Sequence, residues 1–170
     1  MAFKGDEIIT LVIEEKEKTK SIKSFIEGCG LCLPSKIWFN DIEEKIQCID
    51  KNKNLFINII DFAEKFRNKD GILYRIILDN KKEITVDSNH KHIVEINKKI
   101  KNINTMSLIK ELEKGSTILF PTWYRNNIKY VNLKEIKTEK QKYPENIIFK
   151  LEPNKKQLLI ANSIITYGNK

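Results

Sequence analysis

The sequence is poor in cysteine: its 170 residues hold three, at positions 29, 32 and 48. An odd count of this kind supplies no disulfide framework. Structural zinc ordinarily takes four ligands, and beyond the Cys29-x-x-Cys32 pair the chain offers only Cys48, His90 and His92, with no second paired motif. No metal and no cofactor is expected. Also missing is any uninterrupted apolar run of membrane-spanning length, or a charged segment followed by an apolar stretch and a small-residue cleavage site. These absences lead to the expectation of a soluble, cytoplasmic, monomeric protein without a membrane partner. No internal repeat and no linker divides the chain, so residues 1–170 are read as one domain, with 41% hydrophobic residues to form its core.

Positive charge is in excess but is not clustered. The 31 Lys and Arg outnumber the 23 Asp and Glu, giving a net charge of +8. A nucleic-acid surface concentrates basic residues so that they displace counterions from phosphates. Here they are dispersed among acidic residues, as on a solvated face, and no obligatory nucleic-acid partner follows. One local aromatic and basic cluster exists, Trp123-Tyr124-Arg125 with Lys129 and Tyr130. It carries a competing reading, a small basic β-rich module that binds nucleic acid or protein.

Short runs rich in Ile, Val, Leu and aromatics recur between polar breaks: Ile8 to Ile13, Lys45 to Ile49, Leu55 to Ile60, Leu73 to Leu78, Ile84 to Val86 and Ile93 to Ile96. Others follow at Ile118 to Phe120, Ile128 to Leu133, Ile147 to Leu151, Leu158 to Ile160 and Ile164 to Thr166. Strand-length runs at this spacing predict an all-β, mainly antiparallel domain. Turn residues separate them at Asp50-Lys51-Asn52, Asp79-Asn80, Pro144-Glu145-Asn146 and Pro153-Asn154. Helical periodicity is confined to one or two short segments, near Ile22 to Ile26 and Ser107 to Glu113. Asn58 to Arg67 fits either a helix or a continuation of the strand from Leu55, and the strand is preferred.

From Ala2, the opening Ala2-Phe3-Lys4-Gly5-Asp6-Glu7-Ile8-Ile9 resembles the first splicing motif of inteins, with Ala in place of the initial Cys. Thr19 to Glu27 and Glu44 to Asp50 resemble the segments that follow. Glu83-Ile84-Thr85-Val86-Asp87-Ser88-Asn89-His90 is similar to the strand that ends in Thr-x-x-His, with Asp87 where Thr is usual. Glu111 to Pro121 resembles the segment closing the N-terminal part of many inteins, and Ser116 stands for its Asp. Ile148 to Glu152 and Leu159 to Asn169 resemble the last two motifs. Only 25 residues lie between Pro121 and Ile147, too few for the homing endonuclease that full-length members carry there. The resemblance therefore implies a mini-intein spanning 2–169, a Hint-fold horseshoe of long curved strands, with Met1 and Lys170 as flanking residues.

It also implies a chemistry and a set of site residues. Splicing starts from a Cys or Ser that attacks the preceding carbonyl, and Ala2 has no such atom. Either a Cys has been replaced by Ala, or the chain belongs to the minor group that starts with Ala, whose following residue attacks the upstream bond directly. That downstream nucleophile is normally Cys, Ser or Thr, and here Lys170 stands there, protonated at neutral pH. Neither route then finishes. His90 would assist the upstream bond, Asp87 would orient the ring or the scissile amide, and His92, two residues on, is expected on the opposite or flanking side, outside this chemistry. Asn169 would cyclise to a succinimide and release Lys170. The penultimate place, usually His, holds Gly168 after Tyr167, while Lys150 and Gln157 stand where Asp and His are usual. Gln157 and Tyr167 remain donors for a developing oxyanion. The partners implied are the flanking extein segments in cis. Cys29 and Cys32, outside these motifs, are either a redox pair or two small residues of a loop. A degenerate Hint domain that keeps the fold without the chemistry is the third reading.

Overall fold

The computed structural model describes residues 2–13, 16–28, 35–38, 45–49, 53–153 and 158–168. Its strands are β1 (Ile8–Ile13), β2 (Lys16–Ser21), β3 (Ser35–Trp38), β4 (Lys45–Ile49), β5 (Leu55–Arg67), β6 (Ile72–Leu78) and β7 (Glu83–Val86). They continue with β8 (Lys91–Ile96), β9 (Lys99–Asn104), β10 (Ile118–Tyr124), β11 (Asn127–Lys140), β12 (Ile147–Pro153), β13 (Leu158–Ala161) and β14 (Ile164–Tyr167). Helix α1 (Ile22–Glu27) follows β2, and α2 (Thr105–Glu113) follows β9. Side-chain caps start both helices: Ser21 Oγ accepts from Ser24 N–H at 3.1 Å and Asn104 Oδ1 from Ser107 N–H at 2.8 Å.

Each apolar run of the sequence lies in a strand, and the ambiguous stretch to Arg67 is strand β5. Three strands had no apolar run to mark them. β2 is Lys-Glu-Lys-Thr-Lys-Ser and almost wholly exposed, paired only with β1 among the described residues; β9 is likewise exposed against β8. Such strands form because a partner offers its free edge, and their lysines suit an edge that must not recruit another chain. The third is β3, paired with β5.

The main hydrogen-bonded path runs β12-β5-β4-β13-β14-β10-β11-β6-β7, with every pairing antiparallel. Two long strands bend it. β5 has 13 residues, pairing with β4 in its first half and with β12 in its second; β11 has 14, pairing first with β10 and then, from Leu133 on and with an irregularity between Leu133 and Glu135, with β6. The path does not stay open. Phe3 bridges both Phe149 of β12 and Val86 of β7, so the first residues of the chain close the two ends of the path.

Two-residue turns with positive φ join three hairpins: Asn97-Lys98, Arg125-Asn126 and Asn162-Ser163. Asn supplies much of this, since its short polar side chain tolerates the left-handed region. The interior is a continuous apolar cluster that includes Phe3, Leu11, Ile26, Ile46, Ile84, Phe120 and Leu151. Each such side chain contributes about 1.5–3 kcal/mol by leaving water. No helix among the described residues is long and apolar enough to cross a membrane.

Candidate functional site

The strand closure at Phe3 brings Ala2 against the end of β7. Asp87 N–H donates to Ala2 O at 3.1 Å and Lys4 N–H to Thr85 O at 2.8 Å, while on the other side Phe3 and Phe149 exchange bonds of 2.8 and 2.9 Å. Among the described residues Ala2 N–H meets no main-chain carbonyl. It donates instead to Asp87 Oδ1 at 3.2 Å, across 85 positions of sequence. Asp87 is therefore joined to the amide of residue 2. Burial raises its carboxyl above the ordinary value, and the bond from Ala2 pulls the other way. The Ala2 methyl is buried against Leu73 and Ile148, with Phe66 beside them.

His90 lies just beyond Asp87, its N–H directed to Asp87 O at 3.4 Å. Its ring is fully buried, edge-on to Phe3 at 4.7 Å between centroids. Nε2 is 2.8 Å from Thr166 Oγ1 on β14, and Nδ1 has no hydrogen-bond partner among the described residues. Thr166 Oγ1 in turn donates to Lys91 O at 3.3 Å. Burial, with His92 adding to it, holds the His90 pKa well below that of a free imidazole.

His92 corrects the sequence expectation. It is not on another side: its ring is 5.0 Å from that of His90, also fully buried, because residues two apart in an extended chain share a face. His92 Nε2 is 2.9 Å from Thr105 Oγ1, whose own donation runs to His90 O at 3.4 Å, and burial lowers the His92 pKa to about 3. Thr105 N–H reaches the same carbonyl at 3.1 Å. The His90 backbone is thus held from the start of α2.

The C-terminal hairpin meets the same region through Asn162. Ile8 N–H donates to Asn162 Oδ1 at 2.8 Å, Asn162 N–H returns to Ile8 O at 3.0 Å, and Asn162 Nδ2 donates to Glu83 O at 2.9 Å. One turn residue therefore ties β14's hairpin to both β1 and β7. Gly168 is buried where the strand leaves this hairpin, and a Cβ there would sit 2.5 Å from Leu159 Cγ and Cδ1 and 3.0 Å from Pro153 Cδ. The glycine is a packing requirement. Tyr167 is half-buried, its phenol pKa raised by burial and opposed by a hydrogen bond from Asn102. Lys150 is buried, 3.5 Å from Glu152 Oε2 and above the Phe62 ring.

Ala2, Asp87 and His90 are brought together, and Thr166 joins them. Cys29, Cys32, Gln157, Asn169 and Lys170 lie outside the described residues, as do Met1 and the expected turn at 50–52. Sequence reasoning missed Thr166, Thr105, Asn162 and Glu7. Among the described residues no group of three His, Cys, Asp or Glu is arranged to hold a metal ion, and Cys48 is buried with its thiol pushed up to about 12. The aromatic and basic cluster occupies the β10-β11 hairpin tip, where Arg125 and Lys129 lie over the exposed Tyr124 ring at 5.1 and 5.6 Å.

No protein-family model matches the sequence, and no curated protein does. Solved structures do. The chain is similar to the transcription factor IIB Mvu mini-intein at 11% identity and TM-score 0.76, over 98% of both chains. It is similar to an intein from a hyperthermophile at 18% identity and TM-score 0.74, again over 98% of both. A DnaB intein from Synechocystis matches 99% of both chains at 18% identity and TM-score 0.62. The chain therefore has the intein, or Hint, fold, and 98% of it aligns with 98% of a mini-intein.

Proposed function

We propose that this chain is a protein-splicing domain whose upstream junction is the peptide bond preceding Ala2 and whose downstream junction follows Asn169. The observation that supports it is the Ala2-Asp87 bond with His90 beside it, because the same short segment also reaches the C-terminal strand through Thr166. Both junctions of a splicing reaction must share one centre, since proximity converts a bimolecular encounter into a local step.

With Cys at position 2, the thiol attacks the carbonyl carbon before it; a C–S bond forms, the C–N bond breaks, and the thiol proton ends on the departing amine. Asp87 orients that amide by accepting its N–H. A thiol seated against Leu73 and Ile148 resists ionisation, so a base must take its proton. His90 suits this. Thr166 passes its hydroxyl hydrogen to Lys91 O and accepts from Nε2–H, which leaves His90 Nδ1 unprotonated and uncommitted. Nδ1 takes the thiol proton and delivers it to the amine, acting first as base and then as acid. Downstream, the Asn169 side-chain nitrogen attacks its own carbonyl carbon, closing a succinimide and expelling the amine of Lys170.

The chain as it stands performs neither ligation route, because Ala2 offers no nucleophile and Lys170 is a protonated amine at neutral pH. Separate substitutions in a variant carrying Ala2→Cys test the assignment. His90→Ala should lower thiol-dependent cleavage at the upstream junction by about 10²-fold or more while sparing release after Asn169. Asn169→Ala should do the reverse. Upstream cleavage unchanged by His90→Ala contradicts the reading.

A further inference from the structure

We propose that Glu7 is a positioning residue for the upstream reaction, holding the N-terminal segment in register on β7 through the amides of Gly5 and Thr85. The inference rests on Ala2 being the upstream junction.

Residues 2–4 and 85–87 run antiparallel, and two residue pairs face each other, Ala2 with Asp87 and Lys4 with Thr85. In an ordinary ladder each such pair exchanges two main-chain bonds. Here each makes one, Asp87 N–H to Ala2 O and Lys4 N–H to Thr85 O. The return bond of each pair is carried by a carboxylate. Ala2 N–H goes to Asp87 Oδ1, and Thr85 N–H goes to Glu7 Oε2 at 3.2 Å. Glu7 is thus the counterpart, at the far end of the same short ladder, of the group that holds the scissile amide.

The backbone explains why a side chain is needed. At Gly5 the chain turns with φ of +112°, and a Cβ there would collide with the Phe149 ring at 2.6 Å. Glu7 reaches back across this turn: Oε1 accepts from Gly5 N–H at 3.0 Å while Oε2 takes Thr85. Both oxygens are used, and the residue is 2% exposed. An unmet Thr85 amide at this depth would be costly, so the clasp fixes both the turn and the strand.

The charged groups around it leave the carboxylate to this task. Lys4 on its own segment reaches Glu139 of β11 at 3.2 Å and Asp6 at 3.7 Å. Lys150 of β12 is held by Glu152, and Lys23 of α1 meets Gly5 through its amide, donating to Gly5 O at 2.9 Å. On the β7 side Asp87 is occupied with Ala2, and His90 and His92 are neutral. Burial lifts the Glu7 pKa to about 7, with the Gly5 and Thr85 amides opposing and Asp6 adding to the rise. The ionised clasp, with both oxygens accepting, therefore forms as pH passes through neutrality.

The test uses the full chain between two unrelated soluble proteins, with Ala2→Cys, and follows thiol-dependent upstream cleavage from pH 5.5 to 8.5. Glu7→Gln keeps the shape and one acceptor but not the charge. It should slow upstream cleavage by about 10²-fold at the alkaline end, as expected of a displaced reacting group, and abolish the limb centred near pH 7. Release after Asn169 should change less than twofold. An unchanged rate and pH profile in Glu7→Gln overturns the proposal. A second measurement needs no variant: the Thr85 amide proton of the unsubstituted chain, followed by NMR, should titrate with a midpoint near 7. A Thr85 amide shift that follows no ionisation of Glu7 anywhere between pH 4 and 8.5 overturns the clasp. A parent without thiol-dependent cleavage contradicts the splicing reading itself, and the Thr85 titration then decides the clasp alone.

Discussion

His90 Nε2 and Thr166 Oγ1 stand 2.8 Å apart, although 76 positions separate them in sequence. Through this contact the loop that holds Ala2 is joined to the strand that runs toward Asn169. With the Thr166 hydroxyl directed to Lys91 O, the contact favours the tautomer protonated at Nε2. The ring nitrogens of His90 should appear in a ¹⁵N spectrum as protonated Nε2 and bare Nδ1, unchanged from pH 5.5 to 8.5. Thr166→Val should lower stability by about 1–3 kcal/mol, the cost of a buried donor without an acceptor, and Thr166→Ser should recover most of it. Protonated Nδ1 in the parent spectrum would contradict the base-then-acid role.

Buried ionisable groups give the fold a defined response to acid. His90 and His92 keep pKa values below 6.5 in the folded chain, so as pH falls below that value the unfolded chain binds protons that the folded one refuses. Stability therefore drops on acidification. Glu7 works in the opposite sense. Its pKa rises from 4.5 to about 7 on folding, so it subtracts roughly 3 kcal/mol as pH climbs across that window and nothing further above it. Urea unfolding at pH 5 and pH 7 should show a steeper rise for Glu7→Gln than for the parent. An equal rise would mean that Glu7 titrates at its ordinary value.

Gly168 should not accept the histidine that inteins usually carry at the penultimate place. Its Cβ would press on Leu159 and Pro153, and overpacking of this kind costs about 1–3 kcal/mol. Gly168→Ala should lower the thermal midpoint, and Gly168→His should lower it further without accelerating release after Asn169. Faster release by Gly168→His would show that the downstream centre lacks only that imidazole.

Much of the sheet was legible because its strands bury one face. Ile8–Ile13 and Lys45–Ile49 are strands with the bounds that their apolar residues mark. Lys16–Ser21 and Lys99–Asn104 were not legible, since a partner's edge and not an apolar face makes them strands. Motif spacing singled out Asp87 and His90, which lie against Ala2 and Phe3. Glu7, Thr166 and Asn162 were not singled out, because they act across 78, 76 and 79 positions through contacts that only the closed path creates. His92 is not on the opposite or flanking side expected from sequence, because a separation of two in extended chain puts both rings on one face.

The account's central claim is that one centre serves both junctions, and ligation reports on that most directly. Ala2→Cys and Lys170→Cys, introduced together with the chain inserted between two soluble test proteins, should yield by mass spectrometry a product in which those proteins are joined by a peptide bond and residues 2–169 are released. Persistence of the intact precursor, with neither ligated product nor thiol-sensitive upstream cleavage, would contradict it.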